Sequence, residues 1–65
     1  MTLAEYMHEN RVSLTEMARR IGRPISTVFG WKAGTKRPEW EAIPLIEAAT
    51  GGQVRAEDFV PRNAA

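Results

Sequence analysis

Apolar residues recur along this chain in short stripes of helical period. Leu3, Tyr6 and Met7 fall at i, i+3 and i+4, the spacing that lines up side chains on one face of a helix, so residues 2–10 are predicted as a short amphipathic first helix. Leu14, Met17, Ala18 and Ile21 repeat the pattern and predict a second helix that starts at Leu14. Ser13 and Glu16 form an S-x-x-E capping box at its start: Ser13 accepts from the N–H of residue 16, and Glu16 reaches back to the N–H of Ser13. Gly22 stands one residue past the last apolar position and is the expected stop, because glycine enters the left-handed region without a Cβ penalty. Pro24 has a fixed φ and no N–H, which suits the opening of a third helix, from about Ile25 to Ala33, with Gly34 as its stop.

The third helix breaks the simple inside–outside division. Val28 and Trp31 are expected inward, with Ile25 partly inward, and the opposite face carries Ser26, Phe29, Gly30 and Ala33. A solvated helix would show Lys or Glu there. Phe29 is either a lone exposed aromatic or packs on a neighbouring subunit, or else the face lies against another molecule, with Gly30 and Ser26 letting the backbone come near. Gly34, Thr35, Lys36, Arg37 and Pro38 make a basic loop, and Trp31 and Trp40 are expected to anchor it on the core from both sides. Trp40, Ile43, Leu45, Ile46 and Ala49 supply a fourth helical pattern that stops at Thr50-Gly51-Gly52. A start near Glu41 puts Pro44 in the first turn, where its missing N–H costs little. Beyond it, residues 56–59 read as one helical turn with Val54 and Phe59 plugging the core, or residues 53–55 as an extended piece.

Charge adds what periodicity does not show. Residues 17–38 carry six Lys/Arg and no Asp or Glu, a charge of +6, whereas the remaining three cations and eight acids sum to −5 and leave the whole chain at +1. Such a concentration is the electrostatic footprint of a polyanion binder. The chain has 65 residues and no Cys. This predicts one domain over residues 1–60 with a flexible tail at 61–65, no disulfide or thiolate metal site, and a reducing, cytoplasmic setting without a membrane span.

Catalysis is not expected: His8 is the only histidine and reads as a solvated surface residue, the carboxylates are scattered, and no phosphate-binding glycine loop occurs. No cofactor or metal is implied. The positive pattern is a helix-turn-helix, which needs a small residue where two helices approach, a glycine in the turn and apolar residues holding the second helix on the first. Ala18, Gly22, Val28 and Trp31 stand at those roles.

The run over residues 13–38 resembles the helix-turn-helix of phage Cro-type repressors, and I-E-A-A-T-G-G-Q-V followed by E-D-F resembles the C-terminal segment of Cro-like regulators and antitoxins of bacteria and prophages. The likeness covers about residues 3–60. It implies an all-α, four- or five-helix domain of the lambda-repressor-like fold and a transcriptional repressor of operator DNA, acting as a weak homodimer on a pseudo-palindromic site. On that resemblance Ile25, Ser26, Thr27, Phe29 and Gly30 face the bases, and Arg19, Arg23, Lys32, Thr35, Lys36 and Arg37 contact phosphates. Two departures stand out: Leu14 replaces the glutamine that often opens the second helix, and Ile25, Phe29 and Gly30 replace long polar side chains of the reading head. Apolar contact with thymine methyls from Ile25 and Phe29, single hydroxyl contacts from Ser26 and Thr27, and readout by Arg23 or Lys32 at the edges are what remain for the bases. The rival expectation is an antitoxin with a toxin partner, working through the acidic C-terminal half and Phe29. A dimer is expected to meet through Trp40, Ile43 and residues 54–60.

Overall fold

The computed structural model describes residues 1–59. Helices α1 (Leu3–Glu9), α2 (Leu14–Ile21), α3 (Ile25–Ala33) and α4 (Ile43–Ala49) are joined by a 3-10 turn at Trp40–Ala42, which runs directly into α4, and followed by another at Ala56–Phe59. No strand occurs among the described residues, so the domain is all-α and the helical alternative for residues 56–59 is the one adopted. The expected tail at 61–65 and Val60 lie outside the described residues. No helix among them is long and apolar enough to cross a membrane.

Local chemistry sets the element boundaries. Thr2 caps α1: its Oγ1 accepts from the Glu5 N–H at 3.1 Å while Glu5 Oε1 accepts from the Thr2 N–H at 2.9 Å, a reciprocal box that satisfies two otherwise orphaned donors. Ser13 caps α2 by half of such a box. Its Oγ accepts from the Glu16 N–H at 3.1 Å, but the Glu16 carboxylate turns away to two guanidinium groups, and a charged pair outcompetes a neutral amide for it. Gly22, at φ 82°, ends α2, and the Ala18 carbonyl accepts from the N–H groups of both Gly22 (2.8 Å) and Arg23 (3.2 Å). Pro44 falls in the first turn of α4, where its missing N–H breaks no hydrogen bond.

The core is one cluster: Leu3, Tyr6 and Met7 from α1, Met17, Ala18 and Ile21 from α2, Val28 and Trp31 from α3, then Ala42, Ile46 and Val54. Phe59, Val12, Leu14 and Ala49 pack around it, partly buried. α2 lies against both α3 and α4, and α1 against α3. Each fully buried large aliphatic side chain contributes on the order of 1.5–3 kcal/mol. Thr50 is buried with both hydroxyl functions used, its Oγ1 donating to the Ile46 carbonyl at 2.8 Å and accepting from the Val54 N–H at 3.2 Å. That pair of bonds turns the chain after α4 and seats Val54 in the core.

Trp40 departs most from expectation. It is 86% exposed and anchors nothing. The inward stripe of the helical stretch is Ala42, Ile46 and Ala49, and in a 3-10 turn of three residues per turn a residue two positions before Ala42 is rotated by about 240°, away from that stripe. The large apolar residues of the pattern masked a register in which a small alanine is the inward position. Leu45, 39% exposed, belongs to the outer face as well, and Ile25, expected partly inward, is 47% exposed.

Candidate functional site

The predicted residues lie on α2, the Gly22 turn, α3 and the loop that follows it, and they fall into two groups. The first is the outward face of α3. Phe29 is 54% exposed, Ser26 and Ile25 flank it in the open, and Thr27 is half-buried. Val28 and Trp31, on the other side of the same helix, are buried and hold it on the core.

Gly30 is not part of the open face. It is buried, and a Cβ built there would lie 3.1–3.2 Å from the Cβ, Cγ and Cδ carbons of Lys36, so the aliphatic stem of Lys36 lies across the glycine. The Gly30 carbonyl explains the arrangement. It accepts from the N–H groups of Gly34, Thr35 and Lys36 at 3.0, 3.0 and 3.1 Å, with Thr35 Oγ1 at 3.4 Å. The basic loop is thereby folded back on the last turn of α3 and organised around one carbonyl, which fixes where Lys36 leaves the backbone. Sequence spacing placed Gly30 outward; the fold-back of the loop, which no local pattern encodes, covers it.

The second group is the cations, and they divide into paired and unpaired. Glu16 holds two guanidinium groups at once: Arg19 Nη2 donates to both carboxylate oxygens at 2.9 Å, and Arg20 Nε donates to Oε2 at 2.9 Å. The Arg19 hydrogen bonds, then those of Arg20, hold the Glu16 carboxyl below the usual carboxylate range. Arg23 reaches across to Glu39 Oε2, at 3.0 Å from Nη2 and 3.2 Å from Nε. The Glu39 carboxyl is also held low, first by its own backbone N–H and then by Arg23. Lys32, Lys36 and Arg37 make no ion pair with a carboxylate of the described residues. Two acids thus offset part of the +6 of residues 17–38 and leave about +4, of which three charges sit at the end of α3 and in the loop.

Glu16 as an ion-pair partner was readable from its i, i+3 and i+4 spacing to Arg19 and Arg20. Glu39 was not, because its partner is sixteen residues away. The unpaired cations also border an open cavity of about 420 Å³ floored by Leu3, Trp31 and Phe59, which no sequence signal foretold. No three His, Cys, Asp or Glu side chains come together as a metal-holding group among the described residues.

Comparison with known proteins adds no family: no family model matches the chain, and neither the curated proteins nor the solved structures contain a significant match.

Proposed function

We propose that the chain is a sequence-specific DNA-binding repressor of the Cro-like kind, in which α2 and α3 form a helix-turn-helix and α3 enters the major groove of operator DNA. The observation that carries this reading is the α3 surface: an open Ile25–Ser26–Phe29 face on the helix that also carries Lys32 and leads into the loop of Lys36 and Arg37, three cations that pair with no carboxylate of the described residues. Water is a poor match for that face and anions are a good match for its border. A duplex groove supplies both counterparts, with thymine methyls for Ile25 and Phe29 and a base-edge hydrogen bond for Ser26 on its floor, and phosphates along its rim. Thr27 is left at the edge of the contact and Gly30 beneath it. Arg19 and Arg23 reach phosphates by exchanging a carboxylate for one, whereas Lys32, Lys36 and Arg37 are free to do so. Occlusion of the promoter then represses transcription without chemistry.

Half-sites about one helical turn apart call for two copies of a domain this small. Val54, expected at the dimer interface, is fully buried inside the monomer. The outer face of the stretch from Trp40 through α4, with Trp40, Pro44, Leu45 and Ala48 exposed, is the surface left for a partner chain. The same face favours a second reading, in which the chain is an antitoxin and the covering partner a toxin. Co-purification of the chain with the product of a neighbouring gene, in a form that leaves no free subunit to bind DNA, would support that reading over the first.

The test is binding to selected duplex DNA across a salt series. If each subunit of a dimer neutralises about three phosphates, log K falls against log salt with a slope of about −5. Replacing Lys36 and Arg37 by Ala weakens all sequences alike and flattens the slope by about 3 to 4 units for the dimer. A binding constant that does not change with salt overturns the proposal.

A further inference from the structure

The cavity beside the unpaired cations is a separate feature from the exposed face of α3. It lies where the start of α1, the end of α3, the basic loop and the Ala56–Phe59 turn meet, and its volume of about 420 Å³ is within the range of small-molecule sites. Leu3 and Trp31, 1% and 4% exposed, close the bottom of the cavity, and the partly buried Phe59 is the apolar side chain of the three with surface to offer a ligand. Lys32, Lys36 and Arg37 line the same space. None of the three pairs with a carboxylate of the described residues, so an anion that enters the cavity meets cations that are not already neutralised. Asp58 also lines the cavity, and its carboxylate is already engaged. Its Oδ1 accepts from the N-terminal ammonium at 3.1 Å and its Oδ2 from the Arg55 N–H at 2.9 Å, and its side chain is 7% exposed. The loop that carries Lys36 and Arg37 is already folded onto the Gly30 carbonyl, so little ordering remains to be done on binding.

We propose that this cavity binds a small organic anion with a flat apolar body, packed on Phe59 above the buried Leu3 and Trp31, and a dianionic head group held between Lys32, Lys36 and Arg37. The binding site itself stands on the cavity and its charges. Its regulatory consequence rests on the DNA-binding reading above: the same three cations cannot serve a bound anion and a DNA phosphate together, so the ligand and the operator weaken each other by the same factor.

The test uses phenyl phosphate as the probe, with inorganic phosphate as head group alone and phenol as body alone. Trp31 reports the binding by its fluorescence in a Trp40→Phe background, which removes the exposed second indole. Phenyl phosphate is expected to give a saturable change, with inorganic phosphate and phenol each at least tenfold weaker. Lys32→Gln and Arg37→Gln each weaken phenyl phosphate at least fivefold while the circular dichroism spectrum is unchanged. Equal affinity for phenyl phosphate and inorganic phosphate, or no saturable change, overturns the site and marks the cations as a general anion-screening surface. This titration contains no DNA, so its failure and the failure of operator binding are read separately. In the second arm, saturating phenyl phosphate lowers affinity for duplex at fixed ionic strength at least threefold, and no change overturns the regulatory link.

Discussion

α2 and α3 are nearly the same length, eight and nine residues, and pack on each other in one core, yet they meet the outside in opposite ways. On α2 the division is sharp. Met17, Ala18 and Ile21 are buried, and the outer side carries Thr15, Glu16, Arg19 and Arg20, whose charges satisfy one another. On α3 Val28 and Trp31 are buried, but the outer side is Ile25, Ser26 and Phe29, and Lys32 near its C-terminal end pairs with no carboxylate of the described residues. A helix finished for water carries its own counter-charges; α2 does and α3 does not. The adjacent pair therefore contains its own control, since both helices share a core, a turn and a solvent, and only the outer chemistry differs.

The largest effect is expected where α3 resembles α2, on the inward side. Trp31→Ala removes a side chain that is 4% exposed and should cost about 3–5 kcal/mol. A domain of this size commonly has roughly 3–10 kcal/mol in total, so the variant should lose most or all of its cooperative urea transition, followed by circular dichroism. Arg19→Ala on the outer side of α2 should leave the midpoint almost where it was. Comparable losses from the two would mean that the outer side of α2 is structural in a way its exposure does not show.

The outward sides are separated by Phe29→Ala. Because the ring is 54% exposed, stability should change by no more than about 0.5 kcal/mol. If the face reads bases, the preference between the best operator and a variant changed at one contacted base pair should shrink by about tenfold, within the usual 1–3 kcal/mol carried by a base pair. A stability loss of several kcal/mol with an unchanged sequence preference would make Phe29 a structural residue and remove the reading head.

How much of this contrast the sequence carried depends on the range over which the interactions act. The buried stripes of α1, α2 and α3, the Gly22 stop, the place of Pro44 in the first turn and the helical turn near Phe59 all follow from periodicity and backbone chemistry within a few residues. Those were legible. The register of the stretch from Trp40 through α4 was not, because Ala42 supplies the inward contact and a small residue leaves no periodic signal beside a tryptophan. The burial of Gly30 under Lys36 and the Arg23–Glu39 pair were hidden for another reason: both arise when the chain after α3 returns across it. The candidate site was thus legible in residue type and charge, and illegible in which cations are already spoken for.

That last distinction can be tested by making α2 more like α3. Glu16→Gln keeps the shape of the side chain and leaves the Ser13 Oγ bond to the residue-16 N–H in place, but frees Arg19 and Arg20 from their shared carboxylate. On the DNA-binding proposal, duplex affinity at low salt should rise several-fold, and the salt slope should steepen by about one unit per subunit as one further phosphate is gripped. An unchanged slope would show that the outer side of α2 does not face the duplex, and the phosphate contacts would then belong to α3 and its loop alone.

The smallest effect is the response to acid, and it separates the two surfaces by titration. The Glu16 and Glu39 carboxyls are held below the usual range in the folded chain by their arginine partners and, for Glu39, first by its own N–H. A carboxyl with a depressed folded pKa binds fewer protons folded than unfolded at intermediate pH. Its contribution is therefore complete above the ordinary glutamate value of about 4.3 and is lost as pH falls through the lower folded value. The melting temperature should accordingly be level between pH 7 and pH 5 and fall below about pH 4. Other carboxylates add to that fall, so the informative quantity is the difference from the Glu16→Gln, Glu39→Gln double variant, which should start slightly lower at neutral pH and converge with the parent in acid. Parallel curves with no convergence would mean that the two pairs hold nothing at neutral pH, and that the solvated finish of α2 is a matter of charge neutrality and not of stability.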